Sequence, residues 1–95
     1  MAAYIVVEVN IIKPERYEEY KAMATASIKK YGGKYIVRGG NSELIEGDQP
    51  LHRIVILEFE SMEQGLAWYH SEDYKEGREL RNAITESRMY IVEGL

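Results

Sequence analysis

The sequence predicts an α+β protein in which a four-stranded antiparallel sheet carries two helices on one of its faces. Three observations lead to this prediction. Four segments are rich in β-branched and aromatic residues, as strands are. Two longer segments between them repeat apolar side chains at helical spacing. Glycine pairs and serines stand at the points where these segments have to end or begin.

The first part of the chain is predicted to form a strand, a helix and a second strand. Tyr4 to Ile12 (YIVVEVNII) is the first strand. Pro14 suits the first turn of the following helix, where its missing N–H leaves no partner unsatisfied. That helix presents apolar and tyrosine side chains at Tyr17, Tyr20, Ala24, Ile28 and Tyr31. Gly32-Gly33 accepts the left-handed backbone of a helix end, and Lys34 to Arg38 is the second strand.

The third strand follows a break at Gly39 to Ser42 and a predicted turn at Glu46 to Pro50. It runs from His52 to Glu60 (HRIVILEFE) and is rich in β-branched and apolar residues. It is the clearest strand pattern in the chain.

The second helical region is predicted to begin at Ser61 and to restart near Ser71. Ser61 and Gln64 fit a capping box, in which each side chain satisfies the backbone N–H of the other residue. Ser71 is followed by two acids and fits a second N-cap, so we expect a bend there and a helix end near Asn82. Met89 to Glu93 is the last strand. The resulting β-α-β-β-α-β order is that of the ferredoxin-like fold.

Strand alternation predicts a dimer. The face toward the helices is expected to carry Ile5, Val7, Val9, Tyr35, Val37, Val55, Leu57, Phe59, Met89 and Ile91. The opposite side, here called the open face, is expected to carry Tyr4, Val6, Glu8, Ile36, Arg38, Ile54, Ile56, Glu58, Tyr90 and Val92. A sheet face left in water alternates to polar residues, whereas this one is mostly apolar or tyrosine. We therefore predict a homodimer in which two open faces pack together.

Composition excludes several functional classes. The chain has 12 basic and 16 acidic residues and a net charge of −4, so a nucleic acid partner is not expected. Without cysteine it has no disulfide and no thiolate chemistry. No apolar run approaches the ~20 residues that cross a bilayer, so no membrane partner is expected. The N-terminus shows no signal-peptide pattern, and we expect a cytoplasmic protein.

Size and histidine spacing limit the organisation and the chemistry further. The 95 residues are expected to form one domain, residues 1–95. The two histidines lie far apart and show no metal-ligand spacing, so no metal is expected. The glycine pairs match no nucleotide-binding motif, and no cofactor is expected.

Several segments together resemble the domain of unknown function 1330, a family of the dimeric α/β-barrel superfamily. They are YGGKYIVRGG (Tyr31 to Gly40), Glu46-Gly47, HRIVILEF (His52 to Phe59) and the stretch from Ser61 through Trp68, Ser71 and Tyr74 to Arg81. The resemblance covers nearly the whole chain and implies a ferredoxin-like protomer whose sheet pairs with that of a second copy. It implies no established activity. Related superfamily members include cofactor-free monooxygenases of aromatic polyketides, muconolactone isomerases and haem-degrading enzymes.

Two arginines are candidate anion-binding residues. Arg38 precedes Gly39-Gly40, which would let a ligand approach the backbone closely. Its predicted face also carries Glu8 and Glu58, so the alternatives are a charge cluster within the dimer interface or an acid–base pair of the two carboxylates. By the alternation of its strand, Arg53 is expected to face the helices. It either extends to solvent along its apolar stem or anchors an anion between helices and sheet.

Aromatic residues and a histidine cluster on the second helical region. Trp68 and Tyr69 are about 100° apart on a helix, and Leu66 is expected to face the core beside Tyr69. In one interpretation, Trp68 and Tyr74 close the core and His70 is exposed at the helix break. In the other, Trp68 forms a pocket wall, and His70 or a tyrosine hydroxyl accepts a proton.

Haem chemistry is a further alternative. The haem-degrading relatives use an Asn on the first strand, a Trp and a His, and Asn10, Trp68 and His70 match these residue types. His70 follows Trp68 too closely for that arrangement, which argues against axial ligation of haem.

These residues predict a homodimeric domain that binds a small aromatic or enolic molecule between helices and sheet. The predicted ligand-binding residues are Arg53, Trp68, Tyr69, Tyr35, Tyr17 and Tyr74. If the protein is an enzyme, we expect a cofactor-independent monooxygenase or isomerase with His70 and Arg38 in catalysis. The alternatives are a non-catalytic ligand-binding or sensing module, and an assembly protein whose interior is packed solid.

Overall fold

The ferredoxin-like fold predicted from the sequence is confirmed by a computed structural model, which describes residues 1–48 and 52–95. The elements are β1 (Ala3–Ile11), a 3-10 turn (Pro14–Arg16), α1 (Tyr17–Lys30), β2 (Lys34–Arg38), β3 (Arg53–Phe59), α2 (Met62–Tyr69), α3 (Glu72–Ile84) and β4 (Thr85–Glu93). The strands form one sheet in the order β2-β3-β1-β4, with antiparallel neighbours. No helix within the described ranges is long and apolar enough to cross a membrane.

Three element boundaries differ from the predicted ones by two residues or more. Pro14 begins a 3-10 turn rather than the α-helix itself. The last helix continues to Ile84, and the last strand already begins at Thr85. The first half of β4 has polar side chains and gives no strand pattern, but its backbone pairs with β1 as far as Ile11. Gln49-Pro50 of the predicted turn lies outside the described residues.

Both predicted serine caps are present, but the capping box is only half formed. Ser61 Oγ accepts the backbone N–H of Gln64 at 3.1 Å. The Gln64 side chain does not return to Ser61. Instead its Nε2 donates to the carbonyl oxygen of Tyr31 at 2.8 Å, where it satisfies the C-terminal end of α1. Gln64 therefore joins the start of one helix to the end of another.

A bulge in β2 changes which side chains face the helices. Tyr35 pairs with Leu57, but the next paired residue is Val37, opposite Ile56, so Ile36 is an extra residue. Beyond the bulge the alternation is reversed. Val37 joins the open face and Arg38, paired opposite the core residue Val55, faces the helices. The predicted faces of these two residues were therefore wrong.

The core lies between the sheet and the helices and centres on Trp68, which is 1% exposed. Its ring packs against Phe59 at 5.7 Å and Tyr74 at 4.1 Å between centroids. Its Nε1 donates to Ser27 Oγ at 2.9 Å, so the indole is both packed and hydrogen-bonded. Gly65 allows α2 to lie close to the sheet, because a Cβ there would lie 2.7 Å from Ile91 Cδ1.

The open face is apolar, as the strand alternation predicts. Tyr90 and Val92 of β4 are exposed, and so are Ile36 and Val37 of β2. Between these edges lie partly exposed side chains of the two central strands: Tyr4, Val6, Ile54 and Ile56. The described part of the chain thus presents an apolar surface across the whole width of the sheet.

Ser71 joins α2 to α3, so its replacement by alanine is expected to destabilise the fold. Its Oγ accepts the N–H of Tyr74 at 3.1 Å and donates to the carbonyl oxygen of Trp68 at 2.7 Å. We expect Ser71→Ala to lower the free energy of unfolding by about 1–2 kcal/mol, measured by urea denaturation. Ser42→Ala, in the exposed loop after β2, is the control and should change it by less than about 0.5 kcal/mol. Equal losses in the two variants would contradict the capping role.

Candidate ligand-binding cavity

A cavity of about 30 Å³ lies between the helices and the sheet and is here called the helix–sheet cavity. Its polar and aromatic lining comprises Tyr17, Tyr20, Lys21, Tyr35, Arg38, Arg53, Trp68 and Arg81. Its apolar lining comprises Val7, Val9, Ile28, Val55, Leu57 and Met89. None of these lining residues is acidic. The cavity therefore concentrates positive charge in a chain whose net charge is −4.

Arg38 reaches the cavity because of the bulge in β2. Its guanidinium lies 4.1 Å from the centroid of the Tyr35 ring, a cation–π contact. Its Nη2 donates to Thr25 Oγ1 at 3.1 Å, and the same hydroxyl lies 3.1 Å from the Tyr35 hydroxyl. Arg38 itself remains exposed, so it stands where the cavity meets solvent.

The predicted cluster of Arg38 with two carboxylates is absent. Glu58 pairs instead with Lys34 at 3.1 Å, and Glu8 lies 3.9 Å from Arg88. Both carboxylates are on the open face, whereas Arg38 is on the helix side. Because the bulge turns Arg38 to the helix side, the interface charge cluster inferred from the sequence lacks its arginine, and each carboxylate of the alternative acid–base pair has a basic neighbour of its own.

Arg53 lies on the helix side of the sheet, as the alternation of β3 predicts. Its guanidinium carbon lies 5.5 Å from the centroid of the Tyr17 ring. Its Nε is buried and has no hydrogen-bond partner among the described residues. Gly39, whose φ is +69°, backs the guanidinium so closely that a Cβ there would collide with it. Gly39 thus supplies both a left-handed turn and the space for Arg53.

Arg81 and two tyrosines form a buried hydrogen-bonded group that the sequence did not suggest. Arg81 is 5% exposed, and its Nη1 donates to the Tyr74 hydroxyl at 3.0 Å. The Tyr74 hydroxyl lies 2.8 Å from that of Tyr20. Arg81 Nη2 donates to Asn82 Oδ1 at 3.2 Å, and Nη1 also lies 3.7 Å from Met89 Sδ. Arg81 Nε has no partner among the described residues.

Both phenols of this group are held in their neutral form. Burial raises the pKa of Tyr20 well above its usual value, and the neighbouring Tyr74 raises it further. Burial also raises the pKa of Tyr74, although the charge of Arg81 acts in the opposite direction. At neutral pH the two hydroxyls are therefore hydrogen-bond donors and acceptors, and neither compensates the charge of Arg81.

One sequence signal could have found Arg81. Tyr74, Gly77, Leu80, Arg81 and Ile84 are the buried residues of α3, and their spacing is that of one helical stripe. A basic residue in an apolar stripe needs a partner or a ligand.

The aromatic cluster of α2 is divided between two sites. Trp68 lines the helix–sheet cavity, and Tyr74 packs directly behind it. Leu66 is 41% exposed, so the prediction that it faces the core was wrong. Gly65 is buried with Trp68, because residues three apart share one face of a helix. His70 is exposed and ends α2 at the helix break.

Tyr69 and His70 line a second concavity, here called the α2–β4 groove. It has a volume of about 270 Å³ and is lined by Ile5, Leu66, Tyr69, His70, Met89, Tyr90 and Ile91. Arg78 lies over the Tyr69 ring at 5.3 Å from its centroid. The residues predicted for catalysis are thus not brought together, because Arg38 lies in the helix–sheet cavity and His70 in the groove. Across the described chain, no group of three or more His, Cys, Asp or Glu residues could hold a metal ion.

The sheet order and the helix arrangement are those of the ferredoxin-like fold. The chain belongs to the DUF1330 family, a domain of unknown function, whose model matches residues 2–95. No curated protein matches it.

Several solved structures share the fold, and three of them are described here. A protein of unknown function from Rhodopseudomonas palustris has a TM-score of 0.81 and 19% identity, over 99% of this chain and 82% of that one. SnoaB, a cofactor-independent oxygenase from Streptomyces nogalater, has a TM-score of 0.71 and 13% identity, over 99% and 93%. A protein from Nitrosomonas europaea, provisionally described as an antibiotic biosynthesis monooxygenase, has a TM-score of 0.57 and 14% identity, over 98% and 90%. At these identities the likeness establishes the fold alone.

Gly39→Ala is expected to displace the Arg53 guanidinium. Alanine at this φ costs roughly 1–2 kcal/mol of stability, and its Cβ also occupies the space of the guanidinium. Gly32→Ala is a matched control, because Gly32 has a φ of +78° and no atom within 4 Å of a Cβ built there. We expect Gly39→Ala to lose at least as much unfolding free energy as Gly32→Ala, and the NMR signal of the Arg53 Nε–H to shift in Gly39→Ala alone. An unmoved Arg53 signal in Gly39→Ala would contradict the contact.

Proposed function

We propose that each protomer binds a small organic anion in the helix–sheet cavity. The observation that carries the proposal is the convergence of Arg38, Arg53, Arg81 and Lys21 on one cavity without a lining carboxylate. Guanidinium groups bind carboxylates and enolates through charge-assisted hydrogen bonds, which are stronger than neutral ones. The tyrosine and tryptophan rings around them suit an aromatic or enolic ligand.

Unsatisfied donors strengthen this argument. Arg53 Nε and Arg81 Nε are both buried without a hydrogen-bond partner among the described residues. A buried donor without an acceptor costs about 1–3 kcal/mol, and more when the group is charged. An anion in the cavity would supply the missing acceptors and offset the positive charge at the same time.

The size of the cavity limits how a ligand enters. A volume of about 30 Å³ holds a single water-sized group. A ring-bearing ligand therefore needs side chains at the mouth to turn outward. Arg38 is exposed, and the Lys21 side chain is 29% exposed and paired with Glu18 on the surface. These two long side chains can open the cavity without disturbing the packing around Trp68.

Cofactor-independent oxidation or isomerisation is the enzymatic form of the proposal. The oxygenase SnoaB, which has this fold, makes the first of these reactions a candidate. An enolate supplies the electrons that O₂ accepts, so an activated CH₂ and O₂ yield C=O and H₂O without an external reductant. In an isomerase the same enolate is protonated at a different carbon. The cavity arginines would lower the pKa of the enol, and Arg38 would hold the anion.

His70 has no part in this version of the chemistry, because it lies in the α2–β4 groove. The ligand-binding residues that we retain from the sequence are Arg53, Trp68, Tyr17 and Tyr35, all of which line the helix–sheet cavity. Tyr74 supports them from behind through its contacts with Trp68 and Arg81. A non-catalytic binding or sensing module would use the same residues without turnover.

A purely structural role is the second candidate, and the small volume of the closed cavity favours it. In that case the arginines would serve only to fill the interior through their apolar stems and the cation–π contacts with Tyr17 and Tyr35. Such a protein would bind no anion at any accessible concentration. Ligand binding therefore separates the two candidates.

Binding of benzoate is expected to depend on Arg53. Trp68 is the only tryptophan and lines the cavity, so its fluorescence reports on occupancy. We expect benzoate to change the emission and neutral benzamide to have no effect at the same concentration. Arg53→Met should weaken benzoate binding at least about tenfold, because a hydrogen bond to a charged group contributes about 1.5–3 kcal/mol.

Arg16→Met is the control for that experiment. Arg16 is exposed and pairs with Glu19 at 2.8 Å, outside the cavity. Its replacement should leave benzoate binding unchanged. Equal effects of both substitutions, or equal binding of benzoate and benzamide, would count against anion binding and leave the structural role.

We also propose that two copies pair through their open faces. The apolar face spans the whole sheet, and one partner of the same chemistry would cover it by two-fold symmetry. The charged side chains on this face already have ion-pair partners within the protomer, since Glu58 pairs with Lys34 and Glu8 lies beside Arg88. Burial of the face therefore leaves few charges without partners.

Ile56→Lys is expected to disrupt the homodimer. Ile56 lies on a central strand of the open face, where a buried, unpaired ammonium would cost several kcal/mol. Native mass spectrometry should show two chains for the wild type and one chain for Ile56→Lys. Leu66→Lys is the control, because Leu66 is exposed on the helix side, and it should remain dimeric. A monomeric wild-type protein would refute the assembly.

A further inference from the structure

Arg38 and Arg53 form one polar subsite at the mouth of the helix–sheet cavity. We propose that Arg81, Tyr74 and Tyr20 form a second polar subsite of this cavity, which binds an anionic oxygen of the ligand. This inference rests on ligand binding in that cavity and adds the class of ligand. Arg81 and Tyr20 line the cavity, and Tyr74 lies between their polar atoms. The three residues come from α1 and α3 and meet only in the folded chain.

The hydrogen bonds of the group leave one phenolic proton without an acceptor. Tyr74 accepts from Arg81 Nη1, and a single hydrogen bond joins the two hydroxyls. Two hydroxyl protons are therefore present, and only one is used in that bond. Of these two tyrosines, Tyr20 is the one that lines the cavity. The arrangement that serves a ligand therefore runs from Arg81 to Tyr74, then to Tyr20, and then to the ligand.

Arg81 adds a second donor and an uncompensated charge. Its side chain is buried, its Nε has no acceptor among the described residues, and no carboxylate lines the cavity. Because both phenols are neutral, the positive charge lacks an anionic partner. The group thus offers N–H and O–H donors together with a positive charge, which is the requirement of an oxyanion site.

The two polar subsites specify a class of ligand. Arg38 is exposed at the mouth, and Arg53 is partly exposed, whereas Arg81 is buried. A carboxylate at the mouth and an acidic hydroxyl farther in would satisfy both ends. The ligand class is therefore a phenolic or enolic carboxylate. In such a ligand the Arg81 subsite stabilises the phenolate or enolate and lowers the pKa of that hydroxyl.

The test uses a chromophoric probe, para-hydroxy-meta-nitrobenzoate, whose phenol changes absorbance when it ionises. Binding to the wild-type protein should lower its apparent phenol pKa by about one unit, a tenfold change in ionisation. Tyr20→Phe keeps the ring, removes the donor at the cavity and should reduce the shift by at least half. Tyr31→Phe is the control, because its hydroxyl donates to Asp73 on the surface, and it should keep the full shift.

A second probe separates failure of this inference from failure of the proposed function. meta-Nitrobenzoate has the carboxylate but lacks the hydroxyl, so it tests the mouth alone. If it binds while the hydroxylated probe shows no pKa shift, or if Tyr20→Phe retains the full shift, the oxyanion subsite is refuted and anion binding stands. If neither probe binds, the proposed function fails. Circular dichroism of Tyr20→Phe confirms that the variant is folded.

Discussion

The structure depends on the packing of a single indole. Trp68 is clamped between Phe59 of the sheet and Tyr74 of α3, and its Nε1 donates to Ser27 of α1. The ring therefore contacts the sheet and both neighbouring helices at once, and no smaller side chain could make all of these contacts. In the same position it forms the wall of the helix–sheet cavity. Stability and site geometry are thus set by the same side chain.

Next to Trp68 the protein buries positive charge, which is energetically unfavourable. Arg81 lies at the edge of the aromatic core, where its partners, the Tyr74 hydroxyl, Asn82 and Met89, are all neutral. Arg53 Nε is buried without an acceptor among the described residues. An apolar side chain in place of Arg81 would avoid the desolvation of a charge. Proteins retain such unfavourable interactions mainly at functional sites, because elsewhere a core in which every polar group has a partner is more stable. This is the physical reason to regard the cavity as a binding site.

The fold was predictable from the sequence, and the site only in part. Strand alternation and serine caps identify the order of elements because each signal is local. The face of Arg38 was mispredicted because one extra residue, Ile36, reverses the alternation without a glycine or proline to mark it. Helical spacing marks Arg81 as a basic residue in an apolar stripe, but the pairing of Tyr74 with Tyr20 beside it results from helix packing and has no signal in the sequence. The Gln64 side chain likewise donates to the distant carbonyl oxygen of Tyr31 and not back to Ser61, as a local capping box would require.

The bulge in β2 also connects the proposed ligand binding with the proposed self-association. β2 is an edge strand, held by β3 alone. A slip of one residue beyond Tyr35 would turn Arg38 toward the open face and Val37 toward the cavity. The same slip would take a cation out of the cavity and place it on the open face. If the protein binds an anion and dimerises as proposed, both events favour the same register of β2, and each would therefore strengthen the other.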